Sequence, residues 1–170
     1  MDIPETKQPI CVYISERNLL ALYSVQNGLD KKTKIRDDGL KLPDVATPIL
    51  HEGWAYLLDG CVYSQDRRVF VPNSQPIRVN VDTGVAQPLP STKFGRIKCG
   101  IVSNKTHAYL LGGMVTEQKI RTSTCERFRF SDFTWEKIGS LRRPHTCASA
   151  CFFNGSIFLF SKLGIEKLNL

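Results

Sequence analysis

Three residues in the last third of the sequence are of the types that bind soft metal ions. His145 and Cys147 are separated by one residue, so both would lie on one face of a strand, and Cys151 would follow on that face. The six cysteines are otherwise dispersed and include no C-x-x-C pair, the spacing of a structural zinc site or a thioredoxin-type motif. Packed strand residues are the simpler interpretation, and we predict no metal and no cofactor.

The sequence also lacks the short motifs of common catalytic sites. It contains no G-x-S-x-G, no H-E-x-x-H and no phosphate-cradling glycine loop. His51 and His107 fall at different places in the pattern of strands, and the acidic residues lie mostly in turns. We therefore predict no catalytic residues.

Basic residues are the other candidates for function. The net charge of +7 and the pI of about 9.2 favour acidic partners. The densest cluster, residues 31–36, is followed at once by Asp37 and Asp38. No aromatic residues interleave with the cations, as the stacking of single-stranded bases would need. The pattern predicts a protein or acidic peptide as partner and argues against nucleic acid.

The sequence gives no sign of a membrane or export segment. No apolar stretch approaches the roughly 20 residues of a membrane-spanning helix. The first five residues contain neither a basic segment nor an apolar one of the kind found in export signals. We expect no membrane association and a cytoplasmic location, where the cysteines would be reduced thiols.

A repeated phrase indicates the elements that position these side chains. Residues 55–60 read AYLLDG and residues 108–113 read AYLLGG, 53 positions apart (108 minus 55), and a blurred third copy covers 154–161. An apolar run that closes on glycine predicts a buried strand followed by a sharp turn, because glycine accepts positive φ. The aromatic residue of each copy is expected in the core of successive repeats: Tyr56, Tyr109 and Phe158.

Period-two alternation of apolar and polar residues predicts strands over most of the chain. It is clear over residues 77–82 and 125–130. No stretch has the three-and-four spacing of an amphipathic helix, so the predicted fold class is all-β. The lysine-rich stretch after Gly28 is expected to be a loop. Residues 61–76 are expected to be irregular, with a short strand at 69–71.

The residues behind the second copy of the phrase resemble a kelch repeat. Gly112 and Gly113 are followed by Glu126 and Phe128, and Trp135 comes seven positions after the phenylalanine (135 minus 128). The resemblance implies a β-propeller, in which four-stranded sheets pack face to face. It also implies that Phe128 and Trp135 fill the wedge between blades. In the preceding unit the glycine position is held by Asp59-Gly60.

The repeat units divide the chain from about residue 10 onward. They cover 10–60, 61–113, 114–161 and part of a further unit at 162–170, within a single domain of residues 1–170. Propellers typically close with 4–8 blades, so we expect a partial propeller of three to four blades. Four explanations stay open: a fragment of a longer protein, a chain completed by another copy or a partner chain, unrecognised strands, or a small four-bladed ring closed by pairing residues 165–168 with residues 10–25.

The resemblance also implies where a partner would bind. In kelch proteins, the loops entering and leaving the inner strands hold peptides or protein surfaces. Arg142 and Arg143 follow the tryptophan strand in such a loop, and Lys93 and Arg96 occupy the counterpart loop of the preceding unit. We predict that these four residues form an acid-binding patch on a non-catalytic interaction module that acts as a scaffold or adaptor.

A propeller-type enzyme is the alternative hypothesis. A metal-dependent oxidase or a sugar-processing enzyme would fit the fold, because some propellers related to kelch proteins are copper oxidases with tyrosine, cysteine and histidine ligands. This sequence has no paired tyrosine and histidine at matching blade positions. The metal content of purified protein would separate the two hypotheses.

Overall fold

The structure is a computed structural model that describes residues 9–24, 27–92, 95–115 and 120–169. Within these ranges the chain forms 18 β-strands and one short 3-10 turn, and it contains no α-helix. No helix in this part of the chain is long and apolar enough to cross a membrane. The predicted all-β fold class is confirmed, and the strands form several small antiparallel sheets.

The first sheet has three strands in chain order: β1 (Ile10–Ile14), β2 (Leu19–Ser24) and β3 (Gly28–Lys34). The expectation of a loop after Gly28 is wrong. β3 is an edge strand, where lysine ammonium groups stay in water. Thr33 alternates with these lysines, is buried, and donates from Oγ1 to the Val81 carbonyl oxygen at 2.6 Å. An edge position thus accommodates a lysine-rich strand that a central position would not.

The second sheet has four strands and carries an inserted hairpin. The strands are β4 (Pro48–His51), β5 (Trp54–Leu57), β6 (Cys61–Ser64), β7 (Val69–Pro72), β8 (Ile77–Asn80) and β9 (Ala86–Pro88). The sheet order is β4-β5-β8-β9, and β6 and β7 form a separate two-stranded hairpin. The stretch expected to be irregular therefore contains two paired strands, and the rings of Tyr63 and Phe70 lie 5.3 Å apart across them.

The third sheet repeats this arrangement. Its strands are β10 (Gly100–Ser103), β11 (His107–Leu111), β12 (Met114–Val115), β13 (Ile120–Arg121), β14 (Thr124–Arg129) and β15 (Trp135–Ser140). The sheet order is β10-β11-β14-β15, and β12 and β13 form the inserted hairpin. Both four-stranded sheets thus place a hairpin between their second and third strands.

The fourth sheet has three described strands: β16 (Ser149–Phe153), β17 (Ser156–Ser161) and β18 (Gly164–Asn169). The sequence units are offset from the sheets, because each unit ends after the second strand of a sheet. The partial further unit predicted at 162–170 supplies β18, which pairs with β17 in this sheet.

Register shows that the last three sheets are copies of one structure. The equivalent pairs of the second and third strands are Tyr56 with Arg78, Tyr109 with Arg127, and Phe158 with Lys167. By the same register Ile77, Glu126 and Glu166 occupy one position, opposite Leu57, Leu110 and Leu159. Residues can therefore be compared from sheet to sheet.

The core lies between neighbouring sheets. One apolar cluster joins the first and second sheets, another the second and third, and another the third and fourth. In the middle cluster Phe128 is fully buried, with its ring centroid 6.0 Å from Tyr56 and 5.0 Å from Trp135. Tyr109 is buried in the next cluster. The sheets therefore stack face to face in chain order, as the blades of a partial kelch-type propeller do.

The glycines of the repeated phrase lie where the second strands end. Gly60, Gly112 and Gly113 have φ values of +116°, +63° and +91°. A Cβ at Gly60 would collide with the carbonyl oxygen of Val45, because the chain entering the second sheet passes directly over it. These close backbone contacts fix the start of each inserted hairpin.

Candidate interaction surface

Because neighbouring strands are antiparallel, the connections between them lie at two opposite ends of each sheet. Tight turns join the first strand to the second and the third to the fourth, as in β10–β11 and β14–β15. We call this side the turn end. The inserted hairpins and the longer connections between sheets, of which residues 89–92, 95–99 and 141–148 are described, lie at the other side, which we call the loop end.

Arg142 and Arg143 are exposed at the loop end, between β15 and β16. The backbone beneath them is held on one side by the buried side chain of Leu141 and on the other by Glu166, whose Oε1 accepts the Arg142 N–H at 2.6 Å. Within the described ranges neither guanidinium has an ion-pair partner. Two adjacent cations are thus presented to solvent on a fixed backbone.

Arg96 does not belong to this exposed patch, which corrects the prediction made from the sequence. Its side chain is 1% exposed, and its Nε and Nη2 donate to Glu126 Oε2 at 3.1 and 2.8 Å. Its Nη1 donates to the carbonyl oxygens of Gly112 and Thr124, both at 2.9 Å. Because this guanidinium is committed to groups of the third sheet, an acidic partner cannot reach it. Lys93 lies outside the described residues.

His145 occupies the corresponding place one sheet later. The Gly60 N–H donates to the Arg96 carbonyl oxygen, and the Gly113 N–H donates to that of His145, at 2.9 and 2.7 Å. The buried imidazole lies 3.1 Å through Nε2 from Glu166 Oε2. In each of these sheets a cationic or imidazole side chain from the entering loop therefore meets the glutamate of the third strand.

The same network contains a hydroxyl, an imidazole and a carboxylate in series, the groups of an acyl-transfer site. Ser161 Oγ lies 2.8 Å from His145 Nδ1 and also accepts the Leu163 N–H at 3.0 Å. Ser161 occupies the same register position in the fourth sheet as Gly112 in the third, and the Gly112 carbonyl oxygen accepts a hydrogen bond from Arg96. The contact of His145 with Ser161 is therefore equivalent to that of Arg96 with Gly112. Both contacts link an entering loop to its sheet, which indicates a structural role.

One feature of the sequence indicates that Glu126 needs a buried partner such as Arg96. Glu126 lies in a predicted buried strand, and a buried carboxylate needs a cationic or hydrogen-bonding partner. The general tendency of loop arginines to face solvent favours the exposed alternative. Only the packing of residues 95–99 across the end of the third sheet brings Arg96 to Glu126.

Asp59 and Cys99 form a second buried contact at the loop end. Asp59 Oδ1 accepts the Thr47 N–H at 2.8 Å, and the Cys99 thiol lies 3.6 Å from Oδ2. Burial raises the pKa of Asp59 to about 6. Burial and the neighbouring Asp59 raise the pKa of the Cys99 thiol well above its usual value, so this cysteine is not a reactive thiolate.

The residues considered for a metal site do not converge. His145 lies in the loop before β16 and faces Ser161 and Glu166, whereas Cys151 lies in β16 and is exposed. Cys147 is also exposed. Over the ranges that the structure describes, no three His, Cys, Asp or Glu side chains are grouped so that they could hold a metal ion.

Comparison with known proteins finds relatives in poxviruses. The chain is 28% identical over 79 residues to Kelch repeat and BTB domain-containing protein 1 of cowpox virus (strain GRI-90 / Grishak). It is 27% identical over 79 residues to the proteins of that name from vaccinia virus (strain Copenhagen) and horsepox virus. Each match covers 46% of this chain and only 14% of the relative's length. No protein-family model matches the chain.

Proposed function

From the resemblance of this chain to kelch-repeat proteins, which its relatives and its stacked sheets both support, we propose that it is a non-catalytic protein-interaction module. The proposal locates the binding surface at the loop end. Loops there are carried by rigid sheets, so they can vary in sequence while their bases stay fixed. The partner is a protein or a peptide, and the module acts as a scaffold or adaptor.

The exposed pair Arg142 and Arg143 carries the proposal. Guanidinium groups bind carboxylates through paired N–H donors, and two adjacent ones select acidic segments. Leu141 and Glu166 hold the backbone in place, so the loop backbone does not have to be ordered on binding. The partner that fits this surface is an acidic peptide segment.

Charge reversal tests the surface directly. The double variant Arg142→Glu/Arg143→Glu should lose affinity for a fluorescent peptide in which glutamate alternates with glycine, measured by polarisation at fixed salt. We expect a loss of about tenfold or more, because two charge-assisted contacts become repulsive. The far-ultraviolet circular dichroism spectrum should not change.

A matched control reverses the same number of charges elsewhere. Lys32 lies in mid-strand of the first sheet and Arg17 in the turn between β1 and β2, and both are exposed. Lys32→Glu/Arg17→Glu changes the net charge equally and should retain more affinity than the Arg142/Arg143 variant. Equal losses in both variants would mean that net charge alone attracts the peptide, and the loop-end surface would be rejected.

We also propose that a second copy of the chain covers the outer face of the fourth sheet. The pairs Leu111–Cys125 and Phe160–Ile165 are equivalent in register. The first pair is fully buried against the fourth sheet, whereas Phe160 and Ile165 are 40% and 70% exposed. The first sheet exposes Ile10 and Leu29, so an apolar face is available on the second copy.

A further inference from the structure

The turn ends of the second and third sheets enclose a cleft of about 450 Å³. Its walls come from the turns β4–β5, β10–β11 and β14–β15 and from the strands beside them, so it lies at the end opposite Arg142 and Arg143. Small-ligand pockets measure roughly 300–1,000 Å³. We propose that this cleft binds the phosphate group of a small phosphorylated molecule.

Cationic side chains line the cleft. Arg78, Lys105 and Arg129 contribute positive charge, and the only acidic residue of its described lining, Glu52, has a side chain that is 84% exposed to water. Arg129 Nη1 forms an ion pair with Asp132 Oδ2 at 2.9 Å. Lys105 has no ion-pair partner in the part of the chain that the structure describes. Several positive charges in a partly enclosed cleft raise the local concentration of anions.

Arg78 is held ready to donate. Its guanidinium lies 4.1 Å from the Trp54 ring centroid and 4.6 Å from that of Phe133, so two aromatic rings pack against it. Its Nε and Nη2 both donate to Gln87 Oε1, at 3.0 and 2.7 Å. Nη1 has no partner among the described residues. A fixed guanidinium with one free edge loses little freedom when it binds an oxyanion.

His107 adds a second polar group that the fold does not satisfy. Its Nδ1 lies 2.8 Å from Thr106 Oγ1, and its Nε2 is buried with no hydrogen-bond partner in the described ranges. A buried polar atom without a hydrogen-bond partner destabilises the fold unless a ligand supplies that partner. Burial, Arg127 and Arg129 lower the pKa of His107, which favours the neutral ring. Because Thr106 Oγ1 donates to Asn104 Oδ1, His107 Nδ1 donates to Thr106 and Nε2 is an acceptor. A singly protonated phosphate group can donate its P–O–H to this nitrogen while its other oxygens accept from the cations.

An aromatic wall lies beside these cations. The ring of His51 stacks on Phe130 with centroids 3.9 Å apart and planes 12° apart, and Trp54 and Tyr56 line the same cleft. Such a wall contacts the flat organic part of a ligand while the cations contact its phosphate. The ligand class is accordingly a phosphate monoester with a planar ring.

Binding is tested by nuclear magnetic resonance titration of the isotope-labelled chain at constant ionic strength. Phenyl phosphate and inorganic phosphate are added, with chloride as the reference. We expect saturable shifts at the amides around His51, Arg78 and Lys105, and tighter binding of phenyl phosphate than of inorganic phosphate. Shifts that grow linearly without saturation, or that centre on Arg142, would overturn the proposal. Equal binding of the two phosphates would overturn the planar ring.

Variants make the test specific. Lys105→Met/Arg129→Met should weaken phenyl phosphate binding about tenfold or more, because two charge-assisted contacts are removed. Lys105→Met alone, at an exposed residue without an ion pair among the described residues, should weaken it severalfold while leaving the spectrum otherwise unchanged. The control Lys162→Met, at the loop end, should bind normally. Unchanged affinity in both cleft variants, or tighter binding of a phosphoserine peptide than of phenyl phosphate, would refute a small-molecule site.

Discussion

Arg96 and Glu126 form a buried ion pair that ties the loop entering the third sheet to that sheet's third strand. Two guanidinium nitrogens lie 3.1 and 2.8 Å from the same carboxylate oxygen, and Arg96 is almost wholly enclosed. His145 and Glu166 repeat the contact in the fourth sheet. In the second sheet Ile77 holds the glutamate position and packs in an apolar cluster with Leu40 and Leu42.

Removing one partner of this pair should be far more harmful than removing both. Arg96→Met leaves the Glu126 carboxylate buried without its cation, and we expect a loss of about 3–5 kcal/mol in the free energy of unfolding measured with urea. Arg96→Met/Glu126→Ile imitates the apolar solution of the second sheet and should recover much of the loss. A double variant as unstable as the single one would contradict this account. Arg142→Met, on the surface, should change stability by less than about 0.5 kcal/mol.

Asp59 should make stability depend on pH in an unusual direction. Burial raises its pKa from 3.8 to about 6, so the folded protein binds this proton more tightly than the unfolded chain. The stabilisation is therefore complete below about pH 4 and is lost as the pH rises through about 6. Asp59→Asn stays neutral throughout. Relative to this variant, the wild-type free energy of unfolding should fall by roughly 2–3 kcal/mol between about pH 4 and pH 7. A difference that stays constant over this range would disprove the assignment.

Gly60 should tolerate no side chain. Its φ of +116° is unfavourable for other residues, and a Cβ would meet the Val45 carbonyl oxygen. We expect Gly60→Ala to cost roughly 3–5 kcal/mol in urea denaturation, from backbone strain and collision together. Gly155 also has positive φ, at +72°, but a Cβ added there would meet no atom within 4 Å. Gly155→Ala should cost only about 1–2 kcal/mol, and similar costs at both sites would rule out the collision.

The outer face of the fourth sheet should control the oligomeric state. If a second copy covers it, sedimentation should give a mass above the 19.2 kDa of one chain. Phe160→Glu/Ile165→Lys should then shift the chain to the monomer, because charges on a buried sheet face are costly to desolvate. Lys162→Glu, in the exposed turn beside this face, is the control and should not dissociate the assembly. A wild-type chain that is monomeric at all concentrations would refute the contact.

Much of the fold was predictable because strand signals are local. Period-two alternation and the glycine-closed phrase depend on neighbouring residues alone, and they predicted the β5, β11 and β17 strands and the all-β class. The kelch resemblance likewise follows from short spacings, such as that from Phe128 to Trp135. The edge strand β3 was missed because edge position is a property of the sheet, and its lysines suggest a loop when read alone.

The candidate sites were decided by tertiary structure. Arg96 and Arg142 both lie in basic loops between sheets, and only three-dimensional packing buries the first against Glu126 and leaves the second in water. The cleft at the turn end is even harder to predict from the sequence, because it brings together His51 and Arg78 of the second sheet with His107 and Arg129 of the third. The sequence by itself determined the strands and their repetition, because these follow from local periodicity. Which charges are buried, paired or free was decided by contacts between residues distant in the chain.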